Sequence, residues 1–265
     1  MHDSVSSLNQ VNDPKTPDTV VEKAFDLDTV RAAKAGRSVA VIVPARNEAE
    51  TLASVLEAVL VYDELVDELV VVDDHSSDAT ASEALGHGAK VVEHVGPSGK
   101  GAAMTSGVRA TSSEFIVFLD GDVNNTSPEF VARLVQPLLE DPYVQLVKGF
   151  YERPLFTLPT GGGRVNDIAA RPILKLLFPR LSEIRQPLAG ESAVRRSLFD
   201  SVTLETGYGV EVALLIDVVR QFGVEAVAEV DLGTRSHRNR GLDELRPMAE
   251  EILRVVLERA GVTTY

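Results

Sequence analysis

The sequence predicts an α/β fold built on a mostly parallel sheet with helices on both faces, and three observations predict it. Four apolar, β-branched runs between residues 38 and 119 alternate with helical segments, a rhythm that implies right-handed crossovers between parallel strands. Polar clusters at Pro44–Glu48, Asp73–Asp78 and Asp120–Asp122 follow three of those runs. In open α/β sheets, ligands bind where such clusters sit, at the carboxyl ends of the strands. The chain also has 265 residues, 44% hydrophobic and 25% charged, which is enough for one large domain with a real core.

The elements follow in order. Residues 1–37 read as a polar arm, broken by Pro14 and Pro17, followed by a short helix over Thr29–Ala35 that starts at Asp28 and stops at Gly36. The run SVAVIVP (Ser38–Pro44) is a strand buried on both faces. Ala49–Val61 is a helix, with Leu52, Val55, Leu56, Val59 and Leu60 at helical spacing. Asp67–Asp73 is a strand, Ser77–Leu85 a helix, Ala89–His94 a strand, Lys100–Ala110 a helix and Glu114–Leu119 a strand. Residues 38–125 thus form one half, and residues 126–265 a less regular second half of the same domain. That second half predicts a helix over Pro128–Leu139, a strand over Tyr143–Tyr151 and an apolar-periodic segment over Arg164–Leu177. A strand over Pro187–Arg195, a helix over Gly209–Phe222, a strand over Val224–Leu232 and a closing amphipathic helix over Leu242–Ala260 complete it.

Composition removes several classes of function. The absence of Cys excludes disulfides, thiolate zinc sites and a cysteine nucleophile. A net charge of −14 opposes nonspecific binding to nucleic acid or to an anionic membrane. No apolar run reaches the roughly 20 residues needed to span a bilayer, and Met1–Val20 lacks the apolar core of a signal peptide. A soluble cytoplasmic protein is the expectation.

Asp120 and Asp122, separated by Gly121 at the exit of an apolar strand, project to one side if the chain stays extended. An unpaired carboxylate pair there is costly, and a hard divalent cation bridging to diphosphate oxygens compensates it. A solvated turn has the same sequence; the preceding strand favours the metal. The GPSGKG segment (Gly96–Gly101) lacks the spacing of a P-loop. Its Lys100 before a helix suits a phosphate, and a plain turn suits it equally. Gly161–Asn166 (GGGRVN) combines backbone N–H groups with the Arg164 fork as a second anion site, with a hinge as the equal alternative. Glu211 reads first as an acidic residue favouring a helix N-terminus, and Glu191 is undecided. His237, in the basic loop Gly233–Arg240, offers a neutral imidazole as a metal ligand or is simply a surface histidine.

Taken together and in order, VIVPARNE, ELVVVDDHSSD, GKGAA, FIVFLDGD, QLVKGFYERP, GGGRV, QPLAGE, GYGVE and LGTRSHRNR resemble the glycosyltransferases of the GT-A fold. More narrowly, they resemble the actinobacterial glucosyl-3-phosphoglycerate synthases, a retaining family with a mannosyl-transferring relative. The resemblance implies a metal-dependent hexosyltransferase using Mg²⁺ or Mn²⁺, with UDP-glucose as donor and the 2-hydroxyl of 3-phosphoglycerate as acceptor. It implies that Pro44, Ala45, Arg46, Asn47, Glu48 and Asp74 line the nucleobase and ribose pocket and that Lys100 contacts the nucleotide. Asp120 and Gly121 hold ribose and diphosphate, and Asp122 and His237 ligate the metal. Tyr208, Gly209, Val210 and Glu211 face the donor sugar. Gly163, Arg164, Val165, Asn166 and Asn239 receive the phosphoglycerate. Glu211 and Lys100 carry the catalytic electrostatics, the sugar being attacked on the face the diphosphate leaves. A homodimer is implied as well.

The chain departs from the family pattern at His75, where a glycine is usual, and at Asn166, where threonine is expected. Asp74 stands where a small polar residue also occurs. The alternatives are a mannosyl-3-phosphoglycerate synthase using GDP-mannose and a polyprenyl-phosphate glycosyltransferase with the same first half.

Overall fold

The computed structural model of the protein describes residues 25–155, 158–161, 163–236 and 241–263. The expected arm before residue 25 lies outside the described residues. The strands are β1 (Val39–Ala45), β2 (Glu68–Asp73), β3 (Lys90–Glu93), β4 (Phe115–Phe118), β5 (Leu146–Glu152), β6 (Pro154–Leu155), β7 (Leu158–Gly161), β8 (Ser192–Arg195) and β9 (Val227–Thr234). The α-helices are α1 (Leu27–Lys34), α2 (Ala49–Leu60), α3 (Thr80–Gly86), α4 (Lys100–Ala110), α5 (Glu129–Glu140), α6 (Arg171–Leu177), α7 (Val210–Phe222) and α8 (Leu242–Arg259).

Seven strands form one sheet in the order β3-β2-β1-β4-β8-β5-β9. The β3-β2-β1-β4 half is parallel throughout, as the alternating rhythm predicts. β8 runs antiparallel to both its neighbours, β4 and β5. This one reversal positions the site: Ser192 at the start of β8 pairs with Phe118 near the end of β4 and with Lys148 of β5. Gly190 and Glu191, just before β8, therefore meet the residues leaving β4. β6 and β7 pair antiparallel, a ribbon that the glycine-rich sequence around it does not announce.

Side chains alternate between two cores, one on each face of the sheet. Val39, Val41, Val43, Val71, Phe115 and Val117 face a core closed by α1, α2 and α5. Ile42, Val70, Val72, Ile116 and Phe118 face the core under α4, α7, α6 and α8. α1 is docked, not loose: Val30 is fully buried, and the Arg133 guanidinium lies 4.3 Å from the centre of the Phe25 ring.

Three sequence expectations shift for local reasons. The 164–177 segment begins as a wide π-turn over Asn166–Ala170 before α6. Pro172 explains the break, since it cannot supply the next ladder N–H and its ring crowds the carbonyl four residues earlier. The strand expected from Pro187 pairs only over Ser192–Arg195, leaving a loop free to carry site residues. The strand expected from Val224 is preceded by a tight turn over Val224–Ala226, and β9 starts at Val227.

Candidate active site

A cavity of about 420 Å³ opens at the carboxyl end of the parallel half-sheet. The ends of β1 and β2, the start of α4, the turn after β4 and the first turn of α7 converge on it. Pro44, Ala45, Arg46, Glu48 and Asp74 form one wall, with Ser98, Gly99 and Lys100 beside them. The loop after β1 is pinned from below: Asn47 sits at φ 57° and accepts from the Ser77 backbone N–H at 2.8 Å, while Thr80 Oγ1 accepts from Glu48 N–H at 2.9 Å. Asn47 supports this wall from behind and is not part of it. Asp74 Oδ2 accepts from Ser98 Oγ at 2.6 Å and from Gly99 N–H at 3.1 Å, tying the ends of β2 and the Gly96–Gly99 loop together.

The floor is a charge network. Lys100 Nζ lies 2.6 Å from Asp120 Oδ1 and 2.5 Å from Glu211 Oε1. The Arg235 guanidinium, 1% exposed, reaches Asp120 Oδ2 at 2.8 Å, Asp122 Oδ1 at 3.1 Å and Glu191 Oε2 at 3.0 Å. It also donates to the Tyr151 hydroxyl at 2.7 Å. Burial alone would discharge Lys100, but the Asp120 and Glu211 carboxylates outweigh it and hold its pKa above the usual lysine range. Burial likewise pushes Asp120 toward its neutral acid; Lys100 and Arg235 reverse that and hold its carboxyl well below the usual carboxylate range. Burial raises Glu191 despite Arg235, and pushes the Tyr151 phenol up to about 12 despite the same guanidinium. Lys148, fully buried and donating to the Ala189 carbonyl at 2.5 Å, is lowered to about 8 by desolvation.

The two aspartates do not converge through continued strand geometry, as the sequence pattern suggests. β4 ends at Phe118, and the chain turns through Gly121 and Asp122. Arg235, brought in at the end of β9 by its backbone bond to Glu152, holds one oxygen of each. Asp120 is thus neutralised by two cations of the chain itself. Gly121 is fixed by its carbonyl, which accepts from Thr51 Oγ1 at 2.7 Å. Asp122 lines the cavity with a 27% exposed side chain, and Arg235 is its one ion-pair partner among the described residues.

Glu211 is not an exposed helix-start residue. It lies in the first turn of α7, as the helix-start reading expects, with a side chain 7% exposed and locked to Lys100. Tyr208 lines the cavity with it. Val210 is fully buried in the core, and a side chain at Gly209 would meet Val255 at 2.6 Å, so both set the packing of α7 and stand outside the cavity wall. On the opposite wall, Gly163 (φ 73°), Arg164, Val165 and Asn166 line the cavity with Arg153. His237 and Asn239 lie outside the described residues.

Sequence reasoning missed two contributors and under-read two more. Arg153 and Ser98 gave no pattern beyond being a charged and a small polar residue in loops, and Glu191 stood undecided. Arg235 was legible only as one basic residue in a basic loop; its burial depends on β9 packing beside β5. Gly190 is tied to the same floor. A Cβ there would lie 2.3 Å from Asp120 Oδ1, a carboxylate clamped by Lys100 and Arg235. Gly190→Ala is expected to cost about 1–3 kcal/mol of stability, read as a lower urea midpoint. An unchanged midpoint would mean that Asp120 is free to move.

Comparison with known proteins places this geometry. Residues 40–202 match the family model of glycosyl transferase family 2. Glucosyl-3-phosphoglycerate synthase of Mycobacterium tuberculosis is 45% identical over 254 residues, covering 90% of this chain and 78% of that protein. A crystal structure of the M. tuberculosis enzyme in complex with Mn²⁺, UDP-glucose and phosphoglyceric acid superposes with a TM-score of 0.86 at 42% identity, covering 93% of this chain and 88% of that one. A second, in complex with Mg²⁺ and UDP, gives 0.85 at 42% identity over 92% of this chain and 86% of that one. The match spans both the parallel half of the sheet and the part containing the reversed strand that builds the charged floor. The chain therefore belongs to glycosyl transferase family 2 and, within it, to the glucosyl-3-phosphoglycerate synthases.

Proposed function

We propose that the protein transfers glucose from UDP-glucose to the 2-hydroxyl of 3-phosphoglycerate, with retention at the anomeric carbon and release of UDP. The observation that carries this reading is a single cavity with two different walls on either side of the Asp120–Asp122 turn. The wall at the ends of β1 and β2 suits a nucleotide. The opposite wall presents Arg153, Arg164 and the Gly163 backbone, the donors that a phosphate and a carboxylate require. Arg153 Nε is buried there without a partner among the described residues, which an anionic acceptor would supply. The local positive charge is invisible in the net −14 of the chain.

Asp122 offers hard oxygen donors at the edge of the floor, a donor type that fits Mg²⁺ or Mn²⁺. With His237 it would hold the ion, which when bound supplies Lewis-acid neutralisation of the departing diphosphate. Lys100 fixes Glu211 and Asp120 in one orientation, so the electrostatics facing the sugar are set before the donor arrives. Glu211 is engaged by Lys100 and is not poised as a free nucleophile, which supports attack from the face the diphosphate leaves. In that step the acceptor oxygen bonds to the anomeric carbon as its bond to the diphosphate oxygen breaks. The hydroxyl proton passes to the leaving diphosphate. Glu211 orients the sugar and stabilises the positive charge developing on it.

The reading includes a cytoplasmic homodimer. Exposed Ile168, Leu176 and Leu242 on the neighbouring π-turn, α6 and α8 support a partner surface, and no helix among the described residues is long and apolar enough to cross a membrane. The test is nucleoside diphosphate release from UDP-glucose, GDP-glucose and GDP-mannose, with and without 3-phosphoglycerate, in Mg²⁺ and in EDTA. Release is expected fastest from UDP-glucose and only with both acceptor and metal. Equal release without phosphoglycerate overturns the acceptor, and faster release from GDP-mannose overturns the donor.

A further inference from the structure

At the edge of the donor wall that Asp74 helps to form, Asp74, His75 and His94 come together from the ends of β2 and β3. One ligand atom from each lies within 4.8 Å of the others. We propose that these three residues form a second metal site, separate from the hard-cation site at Asp122, for a borderline transition ion such as Zn²⁺. Two imidazoles and one carboxylate, with water in the fourth position, form a donor set that suits tetrahedral Zn²⁺ and disfavours Mg²⁺.

Asp74 supplies the observation that a ligand is wanted. The residue is 6% exposed, and its Oδ1 is buried with no hydrogen-bond partner among the described residues. Oδ2 is fully occupied by Ser98 and Gly99, so the carboxylate cannot rotate to relieve the orphan without breaking the loop it holds. Oδ1 faces His75 Nε2 at 4.0 Å, too far for a hydrogen bond and open enough for an ion between them. His94, 8% exposed, is oriented by Ser106 Oγ at 2.9 Å on Nδ1 and by the Pro97 carbonyl at 3.0 Å on Nε2. Surrendering one of these contacts frees a ring nitrogen while the other keeps the ring aimed, the usual outer arrangement of a ligating histidine.

His75 is held at φ 60°, a conformation uncommon for a residue with a Cβ. There its ring stands edge-on to that of His94, with centroids 5.8 Å apart. Its Nε2 reaches the Gly96 carbonyl at 2.9 Å. The competing account is that both histidines only pin the loop from Gly96 to Ser98. That account explains the two carbonyl contacts but supplies Asp74 Oδ1 no partner from the described residues.

The test is equilibrium dialysis of the full chain against Zn²⁺, with and without excess Mg²⁺, comparing wild type with His75→Gly and His94→Gln. Glycine accepts the backbone conformation at position 75, and the side chain it replaces is 47% exposed, so this variant keeps the fold. Wild type is expected to retain one Zn²⁺ per chain in excess Mg²⁺, and His75→Gly to bind that ion at least 100-fold more weakly. Co²⁺ at the same site is expected to give a tetrahedral visible spectrum that both variants lose. Equal Zn²⁺ retention by wild type and His75→Gly overturns the proposal, as does loss of all Zn²⁺ from wild type in excess Mg²⁺.

Discussion

Asp122→Ala is expected to lower Mn²⁺-dependent UDP release by about 10³-fold while leaving the protein folded. The size follows from the proposed role of Asp122 as a ligand of the ion that neutralises the leaving diphosphate, whose loss is an effect of several kcal/mol on the barrier. Folding is spared because Asp122 is partly exposed and because its partner, Arg235, keeps Asp120 and Glu191. The variant should therefore show a melting temperature close to wild type, and raising Mn²⁺ should recover only part of the rate. Turnover within tenfold of wild type at equal Mg²⁺ would remove Asp122 from the metal site. A large fall in melting temperature would instead mean that Asp122 matters mainly as a counter-ion for Arg235.

How much of this was legible in the sequence depends on which interaction sets each feature. β1, β2, β4 and the helices between them were readable because hydrophobic period and turn chemistry act over a few residues. α4 was expected over Lys100–Ala110 and forms over those residues. The carboxyl-end clusters were readable for the same reason, since strand polarity alone puts Pro44, Asp74 and Asp120 at one edge. The direction of β8 was not readable. β8 is a short strand, Ser192-Ala193-Val194-Arg195, with only two apolar residues, and only long-range pairing with β4 and β5 decides which way it runs. That direction brings Glu191 and Gly190 to Asp120, and the pairing of β5 with β9 brings in Arg235. The charged floor therefore rests on pairings between segments far apart in sequence. No motif spacing records such pairings, and the resemblance to a known family carried the site assignment where local patterns stopped.

Lys100→Met is expected to give the largest combined loss, because one ammonium serves two carboxylates, the buried Glu211 and the partly buried Asp120. Methionine keeps the aliphatic stem packed, so the change isolates the charge. Asp120 retains Arg235, but Glu211 loses its one ion-pair partner among the described residues and keeps, at 7% side-chain exposure, only the longer-range attraction of the Lys148 ammonium. Breaking a buried pair from one side costs about 3–5 kcal/mol, and the carboxylate proposed to face the sugar is no longer held in place, so activity should fall by about 10³-fold as well. Glu211→Gln separates the two effects. Added to Lys100→Met, it removes the stranded charge and should recover most of the lost stability, measured by urea unfolding, with no recovery of UDP release. If the double variant is no more stable than Lys100→Met alone, Glu211 was never dependent on Lys100 for its charge. If the double variant regains activity, the preorganised carboxylate is not what the sugar requires, and the catalytic electrostatics belong to Asp120 and Arg235 instead.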